Sequence, residues 1–167
     1  MNAAELLVEF ASRPLDAARA LPRLSPEQLN SHPAGHPNSI AWLLWHSGRE
    51  VDVQVAELTG GAGVWEQYRE RFGLGEVGES LGYGHTREQA AAVRVEDHQL
   101  LIDHLGAALT SLQDCARGLP EEELDEVVDD SWDPPVTRGV RMASIIDDAI
   151  AHVGQAAYAA GALTRIS

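Results

Sequence analysis

The stretch from Ser39 to Leu58 places the tightest limit on the fold. At about 100° per residue, Ile40, Leu43, Leu44, Ser47, Val51, Val55 and Leu58 share one broad face. Trp42, Trp45 and Val53 add apolar bulk around the rest of the girth. A helix this apolar has to be buried on more than one side, so other helices must surround it. Asn38 is placed to cap it, and Gly60-Gly61 to end it.

Three more segments carry a helical period. Residues 3–21 space Leu6, Leu7, Phe10, Ala17, Ala18 and Leu21 near-helically, with Pro14 expected to kink or restart the helix. Thr86-Arg87-Glu88-Gln89 is a capping box that opens a third helix, expected to run unbroken to Arg117 and to stop at Gly118. Its Leu101, Leu105, Ala108, Leu112 and Cys115 form a bundle seam. Thr137 caps a fourth helix from Arg138 to Ala160, with Gly161 as its terminator. Between these, Ser25-Pro26-Glu27-Gln28 predicts a short helical turn, and His32 to Pro37 holds too many breakers to be anything but a loop. Residues 60–84 are a glycine-rich connection suited to a crossover or a lid, with Val64 to Arg71 its one helical candidate. The segment from Glu121 to Asp130 is acidic and expected to be solvated. No stretch alternates with period two. The reading is one all-α domain over residues 1–167, an antiparallel four-helix bundle with a long connection between the second and third helices.

Charge and cysteine content narrow the function classes. The 167 residues hold 12 basic and 26 acidic side chains, a formal charge of −14. That balance disfavours a nucleic-acid backbone or an anionic bilayer as partner. Cys115 is the sole cysteine, so the chain forms no internal disulfide. The segment Met1-Asn2-Ala3-Ala4-Glu5 lacks a basic signal-peptide start, and no apolar run reaches the roughly 18 residues of a membrane span. A cytoplasmic protein is expected.

The fourth helix carries the first chemistry. Asp148 and His152 are four apart, about 40° around the helix, so both project from one face, one turn above the other. Asp147 sits about 140° from His152 and cannot share its ligand. An Asp-x-x-x-His pair on a rigid backbone is a metal half-site, or else a plain hydrogen bond between the two side chains. His46 lies among Trp42, Leu43, Leu44 and Trp45, where each ring nitrogen needs a polar partner. Metal ligation is one way to supply it, and a carbonyl bond is the other. Two His and one carboxylate around a divalent ion leave positions open for water or substrate. Arg141 lies two turns before Asp148 and within about 20° of His152, placed to bind a carboxylate or to pair with an acid. Gln155, about 60° from His152, is placed to bond a ligand ring nitrogen. His98 and His104 point about 120° apart on the third helix, do not form a pair, and read as surface or core-packing groups. His32 and His36 are denied a helix by Pro33 and Gly35, and His85 adjoins Gly84 with no spacing argument behind it. Gly73-Leu74-Gly75-Glu76-Val77-Gly78 matches a dinucleotide fingerprint only in letters, since no strand precedes it.

Several strings taken in order resemble the DinB-like superfamily. They are Asn38-Ser39-Ile40-Ala41-Trp42-Leu43-Leu44-Trp45-His46, Val64-Trp65, Arg71-Phe72-Gly73-Leu74, Gly82-Tyr83-Gly84-His85, Trp132-Asp133-Pro134-Pro135-Val136-Thr137, Gly139-Val140-Arg141 and Asp148-Ala149-Ile150-Ala151-His152-Val153-Gly154-Gln155. They look closest to the actinobacterial branch grouped with mycothiol-dependent enzymes. The resemblance implies an up-down-down-up four-helix bundle, frequent homodimers, and a divalent metal held by His46, Asp148 and His152, zinc before nickel or iron. Many such proteins have His where this chain has Asp148. The mycothiol-dependent maleylpyruvate isomerases have Glu there and a further C-terminal domain, so isomerisation itself is not the expected reaction. The expected one is transfer of a low-molecular-weight thiol, mycothiol in the family's manner, to a small electrophile through a metal-activated thiolate. Cys115 sits in the seam, so the thiol has to come from a small molecule, and Arg141 is the residue placed to bind it. The alternatives are a non-catalytic bundle that binds a ligand or dimerises, and a metal-dependent hydrolase.

Overall fold

Helix boundaries follow local capping chemistry closely. The computed structural model describes residues 1–164. Helix α1 (Ala3–Arg19) starts at a capping box, in which the Asn2 side chain accepts from Glu5 N and the Glu5 carboxylate accepts from Asn2 N. It continues unbroken through the buried Pro14, so the expected restart does not occur. Helix α2 (Pro26–Leu29) is the short turn expected behind Ser25, and Pro33–Gly35 is a 3₁₀ turn in the following loop. Helix α3 (Ile40–Thr59) is capped by Ser39 Oγ rather than by Asn38, and ends at Gly60 with φ +66°. Every residue from Ile40 to Arg49 is buried, as its apolar girth demands.

The connection after α3 contains α4 (Arg69–Phe72), 3₁₀ turns at Trp65–Gln67 and Gly75–Glu79, and α5 (Arg87–Ala92). The third helix expected from Arg87 to Arg117 is therefore two helices, because residues 93–97 are not helical before α6 (His98–Gly118) begins. Two side chains force the break. Asn30 Nδ2 donates to the Val95 carbonyl at 2.8 Å while Asn30 Oδ1 accepts from Val95 N at 3.0 Å, which takes both Val95 main-chain groups out of a helical ladder. Asp97 then caps the new helix by accepting from Gln99 N and Leu100 N.

The acidic segment is not wholly irregular. It forms a 3₁₀ turn, Glu121–Asp125, and then β1 (Val127–Asp129), which pairs antiparallel with β2 (Val136–Thr137). Helix α7 (Arg138–Thr164) follows directly and passes through Gly161, the expected stop.

The four long helices form a closed ring, in which α3 packs on α6 and α7, and α1 packs on the same two. Helices α3 and α7 run antiparallel: Arg138 Nη1 donates to the Leu58 carbonyl at 3.1 Å at one level, and the His46 and His152 rings are 4.8 Å apart at another. Helices α1 and α6 do the same, with Gln113 Nε2 on the Val8 carbonyl and Leu15 against Gly106. Trp45, Leu44, Leu101, Leu105, Leu112, Met142 and Ile145 fill the centre. Among the described residues, no helix is long and apolar enough to cross a membrane.

Candidate metal centre

The antiparallel register of α3 and α7 brings His46 to the Asp148 and His152 pair. Each of the three offers one ligand atom, and these atoms lie within 4.8 Å of one another. His46 is buried, and the other two are half-buried. Asp147 is exposed, off the site, as its position around the helix requires.

Both imidazoles have their Nδ1 taken. The His46 Nδ1–H donates to the Leu81 carbonyl, and the His152 Nδ1–H donates to Gln155 Oε1 at 2.8 Å. In the neutral form of each ring the proton is then on Nδ1, which leaves the Nε2 lone pair free for a cation. Metal-binding histidines are oriented by this kind of bond. Gln155 plays the part its spacing gave it. The carbonyl of Leu81 could not be found from side-chain identity, since every residue has one. Gly82 is its nearest sequence signal: at φ +97°, a Cβ there would lie 2.8 Å from His46 Nδ1 and 3.1 Å from Trp42 and Trp45.

Trp42 stacks on His46 with centroids 4.5 Å apart and meets the His152 ring edge-on at 6.3 Å. Asp148 Oδ1 lies 3.5 Å from His152 Nε2, while Asp148 Oδ2 is buried with no hydrogen-bond partner. An orphaned carboxylate oxygen beside two bare imidazole nitrogens is a donor set that fits a divalent cation. The nearby Asp148 carboxylate lifts the His152 imidazole above its ordinary pKa, while burial pushes His46 down. Burial opposes ionisation of Asp148, but the neighbouring imidazoles prevail and hold its carboxyl below the usual range.

One further acid borders the site. Glu50, a turn after His46 on α3, has Oε1 4.0 Å from His46 Nε2. Burial and the Asp148 charge push its carboxyl up. Its sequence signal is the His46-x-x-x-Glu50 spacing, which puts both side chains on one face of α3.

A cavity of about 780 Å³ opens beside these groups, with Glu50, Asp148, Arg49, Tyr83, Ser144 and Arg141 among its walls. Arg141 also lines it, paired with an acid through its Nη2 on Asp129 Oδ2 at 2.8 Å. The remaining histidines have other duties. His85 Nδ1 accepts from Trp42 Nε1 at 3.2 Å, and its Nε2 meets Ser80 Oγ at 2.7 Å, so it buttresses the tryptophans. His98 Nδ1 accepts from Leu24 N, and His32 Nδ1 bonds the His36 carbonyl. His104 is buried in the core.

The profile of the DinB superfamily matches residues 13–156, a span that includes all three candidate ligands. The crystal structure of a conserved protein from Enterococcus faecalis superposes with a TM-score of 0.87 at 36% identity, covering 96% of each chain. No curated protein matches. The sequence match and the shared fold together show that the chain belongs to the DinB superfamily.

Proposed function

We propose that the protein is a divalent-metal-dependent enzyme that transfers a low-molecular-weight thiol of the mycothiol type to a small electrophile, with His46, Asp148 and His152 as metal ligands. One observation carries the reading: two bare imidazole nitrogens and an unpartnered carboxylate oxygen converge at the edge of an open cavity. Two nitrogens and one oxygen suit zinc, and also accommodate nickel or iron. Bound there, such an ion would lower the pKa of a coordinated thiol or water and make it nucleophilic at neutral pH.

The chain's own residues orient and select. Leu81 and Gln155 fix the two rings, and Trp42 packs against both of them. Arg141 is read as the group that binds a carboxylate of the thiol or the electrophile, by exchanging Asp129 for it. Cys115 does not supply the nucleophile, because burial pushes its thiol up and it lies on α6. The long helices are read as up-down-down-up. In support, α1/α6 and α3/α7 are antiparallel, and Leu124, beside Gly139 at the start of α7, also lines a small cavity with Leu7 of α1. A homodimer is the assembly expected, through the outer face of α7 where Val140, Ile150 and Tyr158 are exposed.

Elemental analysis and a conjugation assay with mycothiol and a panel of electrophiles test the function. A stoichiometric divalent ion with thiol turnover is expected, both lost in His152→Ala while the circular dichroism stays helical. Metal without turnover would leave a ligand-binding bundle, and unchanged metal content in His152→Ala would remove the ligand set.

A further inference from the structure

We infer that Glu50 is a fourth protein ligand, so that the centre is built from two imidazoles and two carboxylates. The inference rests on the metal reading above and deepens it. Helix α7 offers Asp148-x-x-x-His152, and α3 offers His46-x-x-x-Glu50, the same spacing with the order reversed. Because the two helices run antiparallel, the register that sets His46 opposite His152 sets Glu50 opposite Asp148. Each helix thus presents one imidazole and one carboxylate to the same centre.

The local contacts call for a shared cation. With the His46 proton held on Nδ1 by Leu81, its Nε2 lone pair faces the Glu50 carboxylate 4.0 Å away, acceptor against acceptor. Asp148 adds a third acceptor, one oxygen of which is buried and unpartnered. Among the described residues, no arginine pairs with Glu50. Arg49 is committed to Asp52 and the Ser80 carbonyl, and Arg141 to Asp129. Gln54 Nε2 holds the far oxygen, Oε2, at 3.0 Å, which leaves Oε1 turned toward His46. Two ligands bound tetrahedrally to one zinc are roughly 3.4 Å apart. The 4.0 Å gap needs only a modest side-chain rotation to close, and the carboxylate, 14% exposed, already shares the cavity wall with Asp148.

Zinc affinity by chelator competition and the structure of the zinc-loaded protein test this together. Glu50→Gln keeps the size of the side chain and an acceptor for Gln54, and should weaken zinc binding about tenfold or more. Glu57→Gln, on the same cavity wall, should bind as the wild type does. In crystals of the zinc-loaded wild type, the anomalous peak should lie about 2.0–2.2 Å from a Glu50 oxygen. A peak held by His46, Asp148 and His152 with Glu50 farther than about 3 Å, or Glu50→Gln binding within about twofold of wild type, overturns the fourth ligand and leaves the centre standing. A wild type that binds no zinc overturns the centre itself. The crystallographic result decides the matter even if the variant fails to fold.

Discussion

His104 is fully buried among Trp65, Tyr68 and Phe72, and neither ring nitrogen has a hydrogen-bond partner. A Cβ on Gly48 would stand 2.5 Å from its Nδ1, so the ring lies directly against the backbone of α3. Burial, and then the Arg49 charge, push its pKa down to about 3. The unfolded chain takes up this proton near the ordinary value of 6.5 and the folded chain does not. Stability from this group is therefore complete above pH 6.5 and is lost as pH falls toward 3, by at most about 5 kcal/mol. His104→Leu removes the proton site without breaking any bond. Urea unfolding at pH 7 and pH 4 should show a smaller acid loss in that variant, and an equal loss would refute the assignment. Helical spacing is local, so the sequence could pair Asp148 with His152, while it left His104 between the surface and the core. Nothing in it could reveal that Nδ1 of His46 meets a carbonyl 35 residues away.

At the scale of elements, the connection between α3 and α6 is a fastened strap. Asp52 accepts from Val64 N at 2.6 Å and Trp65 N at 2.9 Å, and pairs with Arg49 at 3.3 Å. Arg49 also lies over the Trp65 ring at 4.5 Å and donates to the Ser80 carbonyl, just before the Leu81 that orients His46. Removing one partner of a buried ion pair leaves an uncompensated charge, so Asp52→Ala should cost about 3–5 kcal/mol. A denaturant midpoint close to that of the wild type would contradict this. The four long helices were legible because each carries many turns of apolar period. The break at residues 93–97 was not, since it depends on Asn30, far away in sequence. Strands of three and two residues are too short to display alternation at all.

For the whole molecule, the candidate ligands join the second long helix to the last. An ion bound only by the folded chain shifts unfolding by mass action, by about 2.7 kcal/mol at a free concentration one hundred times its Kd. Thermal unfolding should therefore fall when a chelator is added to the metal-loaded wild type, and should not respond in His152→Ala. A chelator-insensitive wild type would argue against a bound ion. The mostly helical character could be read from the sequence, whereas the mutual placement of α3 and α7 that builds the site needed coordinates, because register between distant helices leaves no mark on either one.

The group that aims His46 is a main-chain oxygen, and this decides what genetic variation can reach. Replacing Leu81 by alanine leaves the acceptor in place, so metal retention should survive that change, as elemental analysis of the variant would show. An alanine scan would therefore score position 81 as silent, and drift could rewrite that side chain freely while the imidazole keeps its aim.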